Sequence, residues 1–409
     1  MEMPERGDRE GLEELEEARS PPLDLSAVAS LVVDDLRAAP CACVAAAVRR
    51  GSVFQYGVGA AGRLWFPASP PPGEGPEAPA ATPATPFDLA SVTKPLTALA
   101  LARLERAGRI RRDEPLAAAL PELARTRSAR TPLDLLASHR AGLDGHRPLY
   151  APLLEGRRPD PDAALVIAAD ARRDDCPGDP PPDGFPPVYS DLGYLLLGAA
   201  LARRGGADLD EVVAREVTEP LGLGLHVGHP GRAAPAIGSA RMHRRADRGF
   251  DARVAPTEEA AFRGGIVRGA VHDENAWALV GDASAGHAGL FGDALAVARL
   301  GVAILKSLEG ELRDWLSPED MAPLVRPRPG GSHLAGFDSK SGPTPTSGAR
   351  FGPRTFGHLG FTGTSLWIDP DAQLVGVLLT NRVHPTRATD AIKRARPAAY
   401  DAMADAMMR

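Results

Sequence analysis

The strongest constraint on the fold is a change of hydrophobic period between the two ends of the chain and its middle. Near the start, "CACVAAAVRRGSVFQYGVG" (Cys41–Gly59) sets two apolar runs on either side of Arg50 and Gly51, which is the pattern of a hairpin. Near the end, "TSLWIDPDAQLVGVLLTN" (Thr364–Asn381) sets two β-branched or aromatic runs around an Asp-Pro-Asp turn. Between them the period turns helical, as in "TPLDLLASHRAGL", "DLGYLLLGAALARRGG" and "DEVVAREVTEPLGLG". Strands at both ends with helices between predict an α/β (α+β) architecture: one domain closed by the two termini, with a mainly helical region emerging from its middle. The boundaries read as a charged, flexible lead over 1–22, an α/β domain from 23–112 and 285–409, and a helical domain over 113–284.

Further elements follow from the same reading. "LSAVASLVVDDLRAA" (Leu25–Ala39) has the spacing of an amphipathic helix, and "DALAVARLGVAILKSL" (Asp293–Leu308) of another. The stretch 67–86 is so rich in Pro and Ala that an extended, mobile loop is expected. From Ser91 onward Leu96, Leu99, Ala100, Leu104 and Ala107 recur at helical spacing, and Gly108 supplies a stop.

With 409 residues, 44% of them hydrophobic, the chain can bury a sizeable core. A formal net charge of -6 with interspersed signs gives no basic stripe for nucleic acid and no polybasic patch for a membrane surface. Small or neutral partners are favoured. The acidic N-terminal stretch has no apolar signal region and no run approaches a membrane span, so a cytoplasmic location is expected. Three cysteines form neither a metal spacing nor a disulfide framework; Cys41 and Cys43 share a strand without being placed to bridge.

The chain carries only four lysines among its 47 Lys and Arg, and one of them is Lys94, three residues after Ser91 in "FDLASVTKPLT" (Phe87–Thr97). A serine hydroxyl becomes a useful nucleophile when a base removes its proton, and a lysine amine serves if burial or neighbouring charge lowers its pKa; arginine cannot. Spacing of i to i+3 on a first helical turn points both side chains the same way. The amide groups at that helix start can stabilise negative charge during acyl transfer. Pro95 removes an amide that would bond to the carbonyl of Ser91, which predicts a distorted first turn. The plainer alternative is Ser91 as an N-cap and Lys94 as a solvated first-turn residue, although this is the only S-x-x-K in the chain.

At these residues the sequence resembles the serine β-lactamase and penicillin-binding-protein superfamily, in its class C-like esterase and D-aminopeptidase branch. Phe87–Thr97 is similar to the branch's "F-x-L-A-S-V-T-K-x-x-T", and "VYSDLGYLLLG" (Val188–Gly198) resembles "Y-S-N-x-G-Y-x-L-L-G". "TPLDLLASHRAGL", "EPLGL", "GHAGLF" and "GHLGFTGTSLWIDP" (Gly357–Pro370) follow in the expected order, so the likeness runs from about 25 to 400. The resemblance implies a β-lactamase/transpeptidase-like fold: an antiparallel sheet flanked by helices plus an inserted helical region. It also implies a serine hydrolase that needs no cofactor and no metal. Ser91 would be acylated, with Lys94 and Tyr189 moving protons and Tyr189 acting as a phenolate beside Lys94. His358 and Gly360 would stand on the strand beside the nucleophile, and the backbone amides of Ser91 and Phe361 would form the oxyanion hole.

Two departures bear on substrate. Asp191 replaces the usual Asn of the tyrosine motif, exchanging an amide donor for an acceptor. Leu359 replaces a threonine that helps to hold a substrate carboxylate, and His358 carries at most a partial charge at neutral pH. Both weaken an anionic subsite, so the expected substrate is a small ester, amide or peptide without a C-terminal carboxylate. The runner-up is a weak β-lactamase or D-Ala-D-Ala carboxypeptidase, and a third reading is a catalytically weak scaffold. A metal-hydrolase reading of His272, Asp273, Glu274, His287 and His358 fails on spacing, because adjacent residues point apart. A phosphate loop at Gly357, Gly360 and Gly363 fails because no helix start follows. His139 and Arg140 read as loop anchors.

Overall fold

The computed structural model describes residues 21–225 and 236–409. Most of the charged lead read over 1–22 therefore lies outside the described residues. The hairpins at the two ends form adjacent strands of a seven-stranded sheet: β1 (Cys41–Arg50), β2 (Val53–Gly62), β3 (Phe356–Leu359), β4 (Ser365–Asp369) and β5 (Leu374–Thr380). Spatial order is β2-β1-β5-β4-β3, with two-residue edge strands at Leu23–Asp24 and Asp338–Ser339. The two ends of the chain meet where β1 pairs antiparallel with β5, Ala42 opposite Thr380 and Val48 opposite Leu374.

Alternation along β1 divides two cores. Cys41, Cys43, Ala45 and Ala47 face α3 (Ala294–Leu308), in one core with its Val297 and Ile304 and with Leu96 and Leu99 of α1 (Thr93–Arg106). Ala42, Val44, Ala46 and Val48 face the C-terminal helix α4 (Ile392–Met407), joining Ala399, Tyr400 and Met403. A strand buried on both faces must be apolar throughout, which explains its run of Ala, Val and Cys. Each fully buried Val or Leu contributes roughly 1.5–3 kcal/mol. All three cysteines are free and buried.

The β-lactamase-like α/β expectation holds, with local corrections. The first helix is shorter than the reading of Leu25–Ala39. It runs over Ser26–Ser30, widens into a π-helical turn at Leu31–Asp35 and ends before Arg37, which adopts φ 50°. The stretch 67–86 is irregular but tied down. Arg63 pairs with Ala80, the amide of Leu64 donates to the carbonyl of Pro79, and the indole of buried Trp65 donates to Gly75. Composition read as mobility because it does not register backbone hydrogen bonds. A three-stranded sheet of Phe87–Asp88, Leu290–Gly292 and Ile237–Ser239 was not expected, since strands of two or three residues show no period.

The β3–β4 pairing fixes the strand beside the pocket. A Cβ on Gly357 would lie 1.9 Å from the carbonyl oxygen of Leu366 and 2.7 Å from the Trp367 ring. Gly357→Ala is expected to push β3 off β4 and destabilise the protein by about 1–3 kcal/mol, read as a lower urea midpoint.

Candidate active site

The segment before Ser91 is clamped. Ala90 sits at φ 47°, a strained value for a residue with a Cβ, and its amide donates to Asp88 Oδ1 at 2.7 Å. The other oxygen of that buried carboxylate accepts from the amide of His272 at 2.6 Å. Ala90–Val92 then form a 3-10 turn before α1 begins at Thr93, the distorted start that Pro95 predicts.

Lys94 is fully buried, and its ammonium is the hub of the site. Nζ donates to Ser91 Oγ at 2.9 Å, to Tyr189 Oη at 2.6 Å and to Asp191 Oδ1 at 2.7 Å. Tyr189 reaches it from the segment preceding α2 (Asp191–Gly205), where Ser190 is the N-cap and its hydroxyl accepts from the amide of Gly193. His139 holds that segment from below: its carbonyl accepts from Val188, its Nδ1 accepts from the amide of Ser190 at 3.0 Å, and its ring packs 4.6 Å from the Tyr189 ring. The carbonyl of Arg140 accepts from Phe185, and its guanidinium donates to Pro329, so both residues serve as loop anchors.

Opposite, the turn 360–364 is stitched to the same segment. Thr362 Oγ1 donates to the carbonyl of Asp88 at 2.8 Å and Thr364 Oγ1 to that of Leu89 at 2.9 Å. The buried Arg396 of α4 donates to the carbonyls of Gly360 and Thr364. A cavity of about 560 Å³ opens between, with Ser91, Tyr189, Asp191, Leu359, Gly360 and Phe361 on its wall. Tyr150, Glu274, Arg382 and Arg387 also line it.

The sequence profile of the beta-lactamase family matches residues 30–400. The chain belongs to the beta-lactamase family. Members of this family are serine hydrolases. Among curated proteins, a "Putative D-alanyl-D-alanine carboxypeptidase" of Salmonella gallinarum is 32% identical over 203 residues, 48% of this chain and 45% of the relative. The chain thus spans less than half the length of that relative. Among solved structures, the hydrolase EstCE1, described as having promiscuous acyltransferase activity, superposes with TM-score 0.63 at 21% identity, covering 91% of this chain and 97% of its own. A class C beta-lactamase from Rhodobacter sphaeroides gives TM-score 0.60 at 16% identity, covering 94% and 99%. At these identities the structures show the fold they share with this beta-lactamase-family chain.

Of the residues singled out in the sequence, the structure brings Ser91, Tyr189, Asp191, Gly360 and Phe361 to the wall of one cavity, sets the buried Lys94 behind the first three of them, and leaves His358 out of the wall. His358 is 3% exposed, lies behind Tyr189 with ring centroids 6.1 Å apart, and donates from Nδ1 to the carbonyl of Leu359. Burial pushes its pKa down to about 4, Asp338 opposing and Lys94 assisting, so it is neutral at pH 7, the lower end of the at most partial charge expected. One strand position further, Leu359 takes the place on the wall.

The expectation of a basic lysine beside a phenolate also changes. Burial, the largest single influence, would lower the Lys94 pKa, but the Asp191 carboxylate and the Tyr189 oxygen together outweigh it and push the value up to about 12. Burial raises the Tyr189 phenol, Lys94 lowers it and Asp191 raises it, with a net rise. The resting cluster is therefore an ammonium–carboxylate pair with a neutral phenol.

The H-D-E segment divides its work as its spacing predicts. Asp273 Oδ1 pairs with His287 at 2.9 Å and caps the following helix, while Glu274 pairs with Arg387. Among the described residues no group of three or more His, Cys, Asp and Glu side chains could hold a metal ion, and no helix is long and apolar enough to cross a membrane. Asp88, Thr362, Thr364, Arg382 and Arg396 were missed. The two threonines of "TGT" were legible as a motif, whereas arginines in an arginine-rich chain carry no signal.

Proposed function

We propose that the chain cleaves a small ester or amide by acyl transfer to Ser91, followed by transfer of the acyl group to water. The reading rests on one observation: the buried ammonium of Lys94 lies within hydrogen-bond reach of both Ser91 Oγ and Tyr189 Oη at the wall of a cavity. Once the Lys94–Tyr189 pair has given one proton to solvent, it takes the proton of Ser91 Oγ as that oxygen bonds to the substrate carbonyl carbon, and it returns a proton to the departing alcohol or amine. The amides of Ser91 and Phe361 face the oxyanion, and the Thr362 and Thr364 bonds to residues 88 and 89 hold the two amides in register. Water then repeats the attack on the acyl-enzyme with the same groups, releasing the acid.

One observation favours a second reading, a substrate bearing a carboxylate, as the name of the Salmonella relative describes for that protein. Arg382 lies on the cavity wall, donates from Nε to the carbonyl of Phe361 at 2.9 Å, and makes no ion pair among the described residues. That cation offsets part of the loss implied by Leu359. Short p-nitrophenyl esters set against nitrocefin and a D-Ala-D-Ala peptide separate the two. The first reading expects the highest kcat/KM on the esters; a higher value on the peptide, lost in Arg382→Ala, selects the second. Turnover of none of them contradicts the proposal.

A further inference from the structure

The geometry points to Asp191 as a positioning residue that keeps a proton on Lys94, so that Ser91 is activated only at alkaline pH. This rests on the acyl-transfer reading of Ser91. Asp191 opens α2, and the amide of that residue is fixed by the carbonyl of Gly145, so the carboxylate projects to Nζ at 2.7 Å. The ammonium it meets has no exposed surface, whereas the Asp191 side chain is 23% exposed. An opposite charge at this distance from a fully buried ammonium favours its charged form.

Proton count gives the consequence. With Lys94 protonated, Asp191 ionised and Tyr189 neutral, the cluster has no net charge. To receive the proton of Ser91, the Lys94–Tyr189 pair must first lose one to solvent, which leaves the cluster at minus one. With an amide at position 191 the same loss would take it from plus one to zero, which costs less. The family's usual Asn and this chain's Asp therefore set different working pH values for the same lysine and tyrosine.

The surrounding groups do not cancel the effect. His139 and His358 face the cluster, and burial, their largest influence, lowers the pKa of each, so neither brings a cation. The ring of Tyr194 lies 5.4 Å from Nζ. His333 packs against Tyr189 and pairs with Asp338 at 2.5 Å. Asp273 is already paired with His287. Among these groups Asp191 alone touches Nζ with a carboxylate.

Asp191→Asn keeps an oxygen acceptor in the same place and removes the charge. The test is the rate of fluorophosphonate labelling against pH for wild type, Asp191→Asn, Asp191→Glu and Ser91→Ala. The ascending limb of the wild type is expected above neutrality, and that of Asp191→Asn about one pH unit or more lower. Asp191→Glu, which keeps the charge, is expected to retain the alkaline limb. A merely structural Asp191 would lower the rate at every pH without moving the limb. An unmoved limb in Asp191→Asn, with labelling still dependent on Ser91, overturns the role of Asp191 and leaves the nucleophile intact. Undiminished labelling of Ser91→Ala overturns both.

Discussion

Ser91→Ala is expected to reduce p-nitrophenyl ester hydrolysis by roughly 10³-fold or more, to little above the rate in buffer, with unfolding changed by less than about 0.5 kcal/mol. The activity loss follows because the neighbouring hydroxyls among the described residues are otherwise placed: Thr93 is fully buried, Tyr189 Oη accepts from Lys94 and Thr362 is committed to the carbonyl of Asp88. The small stability effect follows because Lys94 keeps Tyr189 and Asp191 as partners when Ser91 Oγ is gone. Steady-state hydrolysis together with urea unfolding checks both halves. A variant that lost activity only by unfolding would show them falling together.

Lys94→Ala is expected to strike both quantities. The ammonium is the shared donor to three oxygens, so its removal takes away the proton-transfer partner of Ser91, a loss of roughly 10²–10⁴-fold in kcat/KM. It also leaves the Asp191 carboxylate without its cation and a cavity beside Tyr189. Breaking a buried ion pair costs about 3–5 kcal/mol, and the partial exposure of Asp191 reduces this to about 2–3 kcal/mol. A denaturation midpoint equal to that of the wild type would show that the pair contributes nothing to the fold. Full activity would show that Lys94 moves no proton.

How much of this was legible in the sequence depended on length and period. The four long sheet strands that β1, β2, β4 and β5 supply, and the helix after Ser91, each repeat an apolar spacing often enough to be read. The strand Phe87–Asp88 does not, although it sets the position of the nucleophile turn through Leu290. The S-x-x-K spacing placed Ser91 and Lys94 together because three residues on one helix start fix a distance. The approach of Asp191 to Lys94 spans 97 residues, and no local pattern reports a contact of that range. The acid at position 191 could be seen as a departure, but whether it faced substrate or lysine was decided by the packing of α2 against α1. The burial of His358 was hidden for a related reason. Alternation says which positions share a face of β3, and only the packed Tyr189 shows that the face of His358 is closed.

The central claim is that Ser91 forms the covalent bond. Incubation with a fluorophosphonate, followed by peptide mapping by mass spectrometry, tests it most directly. The account predicts one adduct, on Ser91, and none on the Ser91→Ala variant. An adduct that maps elsewhere, or a wild-type protein that stays unmodified at alkaline pH, would contradict it.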